Sequence, residues 1–285
     1  MSSKYIPLRK ALLIVFLSTL LISGSITVAS FYYLNLRSSW AQSDQYKIVA
    51  MIQTSEEKEA LKTVYLSELL ELSVDKPVNI YRFNTDIAVK KIMQSPVIKS
   101  ASVELRNSGI IYVDYSLRRP IAYLYDFKNA AFDNEGVVFP VTPFFTPKNL
   151  PEVYLGNLKK ISWGKALKEK SAMLAINLLK ELSLPSYREA FNILRIDLSN
   201  IFSDSSGQRQ IVLLIEEHVP GKNIGIRRIL RLNSRDYVRG MEKYLELRKF
   251  FTQEQAKETY TNLSQEGGEE MIIDLRISQL AFIKK

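Results

Sequence analysis

His218 is the only histidine, and the 285 residues include no cysteine. That removes thiol nucleophiles, disulfides, cysteine zinc sites and multi-histidine metal sites. A serine hydrolase would need His218 as a general base, with a nucleophile and an orienting carboxylate in reach. The histidine instead stands two residues before Pro220, where the chain turns. Two acids flanking a glycosidic bond could be drawn from Glu216, Glu217, Asp133 and Glu135. The plainer reading puts Glu216 and Glu217 at a strand end and Asp133 and Glu135 in a turn. No glycine-rich phosphate loop of the P-loop or dinucleotide type is present. Arg227, Arg228, Arg231 and Arg235 alternate along a strand, which reads as a solvated sheet face or as a polyanion site. The expectation is a non-catalytic chain with no cofactor, metal or small-molecule substrate.

Charge and hydropathy say where such a chain works. Its 46% hydrophobic and 24% charged composition is that of a folded protein. Residues 11 to 34 carry no charge; at 1.5 Å per residue they cover about 36 Å, against a hydrocarbon core of about 30 Å. A cleaved signal peptide, cut near Ala41, competes with this reading, but signal h-regions run only about 7 to 15 residues. The formal charge of +9 includes Lys4, Arg9 and Lys10 before the span, and only Arg37 follows it closely. The positive-inside rule then makes residues 1–10 cytoplasmic and exports the rest. Phe31, Tyr32, Tyr33 and Trp40 would form an aromatic belt at the outer interface. Thr19, Ser23, Thr27 and Ser30 fall on one helical stripe, either a face for another membrane helix or the filling of a single-pass anchor. No nucleic-acid fold signature accompanies the basic balance.

The exported part reads as elements in order. Residues 35–45 are a polar linker. Ile48, Ala50 and Ile52 alternate in a strand over 47–53. Ser67 caps a short helix carrying Leu69, Leu70 and Leu72, and residues 56–62 are a solvated charged stretch. Asn84, Thr85 or Asp86 caps a helix over 85–94 with Ile87, Ile92 and Met93 inward, stopped by Ser95-Pro96. Ala101, Val103 and Leu105 share one strand face, and Ile111, Val113 and Tyr115 share another. Asn107, Ser108 and Gly109 reverse the chain between them. The order is βααββ. Beyond Pro120, Asp133 to Gly136 turns between two apolar strands. A helix over 165–182 carries Leu167, Leu174, Ile176, Leu178, Leu179 and Leu182. Strands at 193–198, 210–216 and 226–232 follow, with turns at 204–207 and at Val219-Pro220-Gly221. Asp236 caps a helix with Val238, Met241, Tyr244 and Leu245 inward, and polar residues 253–270 end in Gly267-Gly268. The fold class is α+β: one transmembrane helix, a βααββ domain over 46–120, and a mixed, largely antiparallel β-sheet domain with two helices over 121–285.

The run from Pro96 to Ala122 resembles the POTRA module of the FtsQ/DivIB family of bacterial cell-division proteins. Pro96, Ile98, Ala101, Val103, Arg118, Pro120 and Ala122 match the family pattern in register without a gap. The chain departs from it at Val97, Ser108 and Leu117. The resemblance continues at Phe132, Asp133, Gly136 and Phe139, at Leu150-Pro151 and Gly156, and at Ile273, Asp274, Leu275 and Arg276. It implies a non-catalytic inner-membrane scaffold of the division machinery. Such a scaffold would be concentrated at the division site, binding FtsB- and FtsL-like bitopic proteins and supporting FtsW/FtsI-like septal wall synthases. A single-POTRA adaptor in envelope assembly or secretion is the alternative, and a membrane-anchored wall hydrolase the third class.

Met271 to Ile283 reads as one long apolar strand, either at or near a sheet edge or as an ordinary strand covered by the body of the domain. An exposed apolar edge invites a partner strand. By the resemblance, a partner would pair with this strand near Arg276, Ile277, Ser278, Leu280 and Phe282. Family members often carry a tyrosine where Ile277 stands.

Overall fold

The structure, a computed structural model, describes residues 7–73, 75–106, 108–156, 158–205, 207–218, 225–255, 271–277 and 279–284. Lys4, Asn107, Val219, Pro220, Gly221, Gly267, Gly268 and Ser278 lie outside the described residues. The chain is mixed α+β and divides into two compact units, one of residues 1–93 with 100–116 and one of 94–99 with 117–285. The ends of the 98–117 hairpin thus belong to the second unit.

In the first unit, α1 (Leu8–Gln42) carries Arg9 and Lys10 in its first turn and no charge from residue 11 to 34, and none of its residues is buried. It is long and apolar enough to cross a membrane. It also runs through most of the stretch expected to be linker: the helix ends at Gln42, and a 3-10 turn at Asp44–Tyr46 leads straight into the domain. Strand β1 (Ala50–Ser55) starts later than the alternation predicts and faces the other way. Ile52 is exposed, while Met51 and Gln53 are half-buried. Its parallel partner on one side only leaves room for an outward isoleucine.

Helix α2 spans Thr63–Leu69, so Ser67 sits inside it, its hydroxyl donating to the Val64 carbonyl rather than capping. In α3 (Thr85–Ile92) the Asn84 side chain accepts from the Ile87 N–H, as an N-cap should. Ala88 and Ile92 face inward, whereas Ile87 and Met93 are exposed. Strands β2 (Ile98–Arg106) and β3 (Ile110–Leu117) complete a three-stranded sheet of order β1-β3-β2. Gly109 holds φ +76° in the turn, and a Cβ there would come within 2.5 Å of the Lys47 carbonyl oxygen, so only glycine fits. Ile111, Val113, Tyr115 and Val103 are buried, as are Leu61, Leu66 and Ile92 of this unit, and the Leu61 N–H donates to the Tyr115 hydroxyl at 2.8 Å.

The second unit is a nine-stranded sheet of β4 (Ala122–Leu124), β5 (Ala130–Phe132), β6 (Val138–Pro140), β7 (Glu152–Tyr154), β8 (Phe191–Asp197), β9 (Ile211–His218), β10 (Gly225–Leu232), β11 (Met271–Asp274) and β12 (Phe282–Lys284). Its spatial order is β12-β11-β10-β9-β8-β7-β4-β5-β6. The β4–β7, β7–β8 and β10–β11 pairs are parallel and the others antiparallel. Parallel neighbours need crossovers: β4 reaches β7 through β5 and β6, β7 reaches β8 through α4 (Lys170–Leu182) and the single turn α5 (Pro185–Arg188), and the β10–β11 connection contains α6 (Tyr237–Gln255). Helix α4 begins five residues later than its apolar pattern, so Leu167 packs on the core from a loop. The turn α5 is an element the periodicity did not reveal. Leu178, Leu179 and Leu182 of α4, and Met241 and Tyr244 of α6, join Ile211, Leu213, Ile215, Leu230, Leu232 and Ile273 in one core. Val238 is left exposed.

Candidate partner interface

Of the carboxylates that might have paired for chemistry, Glu217, Asp133 and Glu135 are engaged by cations or backbone. The phase of β9 that turns Ile211, Leu213 and Ile215 inward also turns Glu217 inward, to 3% exposure. The phase of β10 that buries Leu230 and Leu232 likewise buries Arg228, so the four arginines do not share a face. Arg228 Nε approaches Glu217 at 3.2 Å, Arg248 Nε at 3.1 Å, and the Tyr244 hydroxyl donates to it at 3.2 Å. Burial and then the Glu217 carboxylate push the Tyr244 phenol far above its ordinary range. This cluster ties α6 to the sheet. Sequence reasoning missed it, although the alternation of β9 and β10 carries the signal. His218 ends β9, with its N–H donating to the Ala190 carbonyl and its own carbonyl accepting from Arg248.

Asp133 is buried, and Oδ1 accepts from the Glu135 and Val137 N–H groups at 2.9 Å each while Oδ2 accepts from Arg118 at 2.7 Å. Glu135 pairs with Lys99 at 2.8 Å, and this contact holds its carboxyl below the usual carboxylate range. Gly136 takes φ +75° in the same turn. Of the motif residues, Arg118 is therefore an internal ligand of the turn, Val103 is core, and Pro96, Ala101 and Pro120 are half-buried. On α1, the Thr19, Ser23 and Thr27 hydroxyls donate back to carbonyls of their own helix. The expected stripe is thus exposed but already satisfied, and Ser30 is exposed beside it.

The C-terminal residues differ most from expectation. The single strand over 271–283 is two: β11 pairs parallel with β10, the chain turns, and β12 returns antiparallel along β11 as Asp274↔Phe282, Ile273↔Ile283 and Ile272↔Lys284. Arg276 and Ile277 lie in that turn. The turn is held by Arg276 itself, whose guanidinium donates to both Asp274 oxygens at 2.6–3.1 Å and also reaches the Gly207 carbonyl. Partial burial pushes the Asp274 carboxyl up, but the Arg276 hydrogen bonds outweigh it and leave the group below its ordinary value. Asp274 in turn raises Arg276. Leu275 is buried, its N–H donating to the Arg231 carbonyl at 2.8 Å.

Among the described residues β12 is then the outermost strand at one end of the sheet, opposite β6, and all three of its residues are exposed. Ile277, Leu280, Phe282 and Ile283 expose apolar side chains over this corner, Phe282 at 56%. Beside them Asn233, Asp236, Arg239, Lys243 and Arg276 line a groove of about 40 Å³ closed by Gly240 and Leu275. A strand edge with no partner among the described residues, flanked by apolar side chains, is what an extended amphipathic segment would need. Ile277, Leu280 and Phe282 come together here, while Arg276 is spent largely on holding the turn. Among the described residues no group of three acids or imidazoles could hold a metal ion. In comparison with known proteins, no family model matches the chain and no curated protein matches it.

Proposed function

We propose that this is a bitopic inner-membrane scaffold of the bacterial division machinery, similar to the FtsQ/DivIB family, with a POTRA domain following the anchor. It captures FtsB- and FtsL-like partners by strand addition to β12 and so supports septal wall synthases of the FtsW/FtsI kind. The single observation that carries the reading is the outermost position of β12, with Phe282 and Ile283 exposed along it. Support comes also from the βααββ order of the first unit and from the motif residues between Pro96 and Ala122. The uncharged run of α1 behind Arg9 and Lys10 supports an anchor with its N-terminus in the cytoplasm.

The test is a functional fluorescent fusion to the N-terminus, combined with capture of membrane partners from the native host. Midcell accumulation together with an FtsB-like protein in the eluate is the expected result. Uniform membrane fluorescence with outer-membrane assembly proteins in the eluate would replace this reading by an envelope-assembly adaptor.

A further inference from the structure

Where a slack linker is expected between the anchor and the first exterior domain, the chain has a clasp. Helix α1 ends with carbonyls that need partners from outside the helix. The carboxamide of Asn79, a residue only 8% exposed, supplies one such partner, to the Trp40 carbonyl, which also accepts from the Ser43 N–H. Its Nδ2 donates to the Trp40 carbonyl at 2.9 Å and to the Ser43 carbonyl at 3.0 Å, while its Oδ1 accepts from the Tyr81 N–H at 2.9 Å. One side chain therefore binds the helix end to a loop 36 to 39 residues further along.

Backbone bonds run alongside it, from Ile48 N–H to the Val78 carbonyl and from Ile80 N–H to the Tyr46 carbonyl, at 2.9 and 2.8 Å. Three rings close the joint. The Trp40 ring lies 5.4 Å from Tyr81 and 6.3 Å from Tyr46, and Tyr46 meets Tyr81 edge-on at 5.2 Å, within the range of favourable aromatic pairs. Between Gln42 and the 3-10 turn only Ser43 is not helical, and its hydroxyl accepts from Gln45 N–H.

We propose that α1 and the 44–93 part of the first unit move as one rigid body, locked by the Asn79 side chain and the Trp40–Tyr46–Tyr81 rings. A rotation or tilt imposed on α1 by a neighbouring membrane helix then reaches the exterior sheet without slack. This consequence rests on the membrane-spanning reading of α1; the clasp does not.

The natural chain has no cysteine, so two introduced ones are unique labelling sites. Ser38→Cys on α1 and Lys90→Cys on α3, both exposed in the natural protein, would carry spin labels in the full-length chain, in detergent micelles and in lipid nanodiscs. Were residues 41–46 a flexible tether, their ends would spread over roughly 13 Å. The expected result is one distance population much narrower than that, broadening towards it in Trp40→Ala and in Asn79→Ala. A broad distribution in the otherwise unaltered chain overturns the proposal, as does an unchanged width in both variants. Trp40 lies on α1, so its variant keeps the test decisive if Asn79→Ala disturbs the domain's amide spectrum. Failure to enter nanodiscs would sink the membrane reading alone, because the micelle distances still decide the clasp.

Discussion

Arg118 donates to Asp133 at 2.7 Å with the arginine side chain 13% and the aspartate 3% exposed, tying the end of β3 to the hairpin turn between β5 and β6. The same carboxylate organises the turn through two backbone N–H groups. A cation so placed cannot lose its partner cheaply, because the remaining charge stays out of water.

Arg118→Ala is therefore expected to cost about 2–4 kcal/mol of stability and Asp133→Ala at least as much, since the aspartate variant also orphans two N–H groups. Urea unfolding of the full chain in detergent measures both. Losses under about 0.5 kcal/mol, the level of ordinary surface substitutions, would show the pair to be incidental.

At the other end of the sheet, Glu217→Ala leaves Arg228 and Arg248 facing each other in the core without their carboxylate. A loss of about 3–5 kcal/mol is expected, whereas Glu217→Leu combined with Arg228→Met should be milder than the sum of the single changes. Equal additivity would mean that the two residues do not act as a pair.

The Asp274–Arg276 clamp gives stability an acid limb. The folded-state pKa of Asp274 is lowered, so its contribution is complete above the unfolded value of about 4 and disappears as pH falls through the lower folded value. Asp274→Asn should flatten the decline in melting temperature below about pH 4 relative to the parent chain. An unchanged acid limb would assign the decline to other carboxylates.

For the proposed partner edge, Phe282→Asp should weaken capture of an FtsB-like segment by more than about tenfold, the effect of removing a hot-spot aromatic. Circular dichroism and melting should stay at parent values because the ring is already exposed. Ile277→Asp, in the turn, tests whether the apolar corner extends beyond the strand. Retained affinity in both variants would move the interface away from β12.

What could be read from the residues alone was whatever neighbours in sequence decide. The uncharged run of α1, the Asn84 cap, the turns at Gly109 and Gly136, and the period-two burial of Ile211, Leu213 and Ile215 all follow from side-chain type and spacing over a few positions. The same rules misplaced Ile52, because which face of an edge strand is covered depends on a neighbour contributed by residues 110–115. They also drew one strand through Arg276, where a salt bridge to Asp274 and a contact to Gly207 bend the chain into two. Glu217 with Arg228, and Asn79 with Trp40, are held by hydrogen bonds between segments 11 and 39 residues apart. Alternation along β9 and β10 tells that Glu217 and Arg228 face inward, but not which partner each meets: such pairs become favourable only once the sheet register or the helix end has brought a buried charge or a carbonyl within reach of its partner.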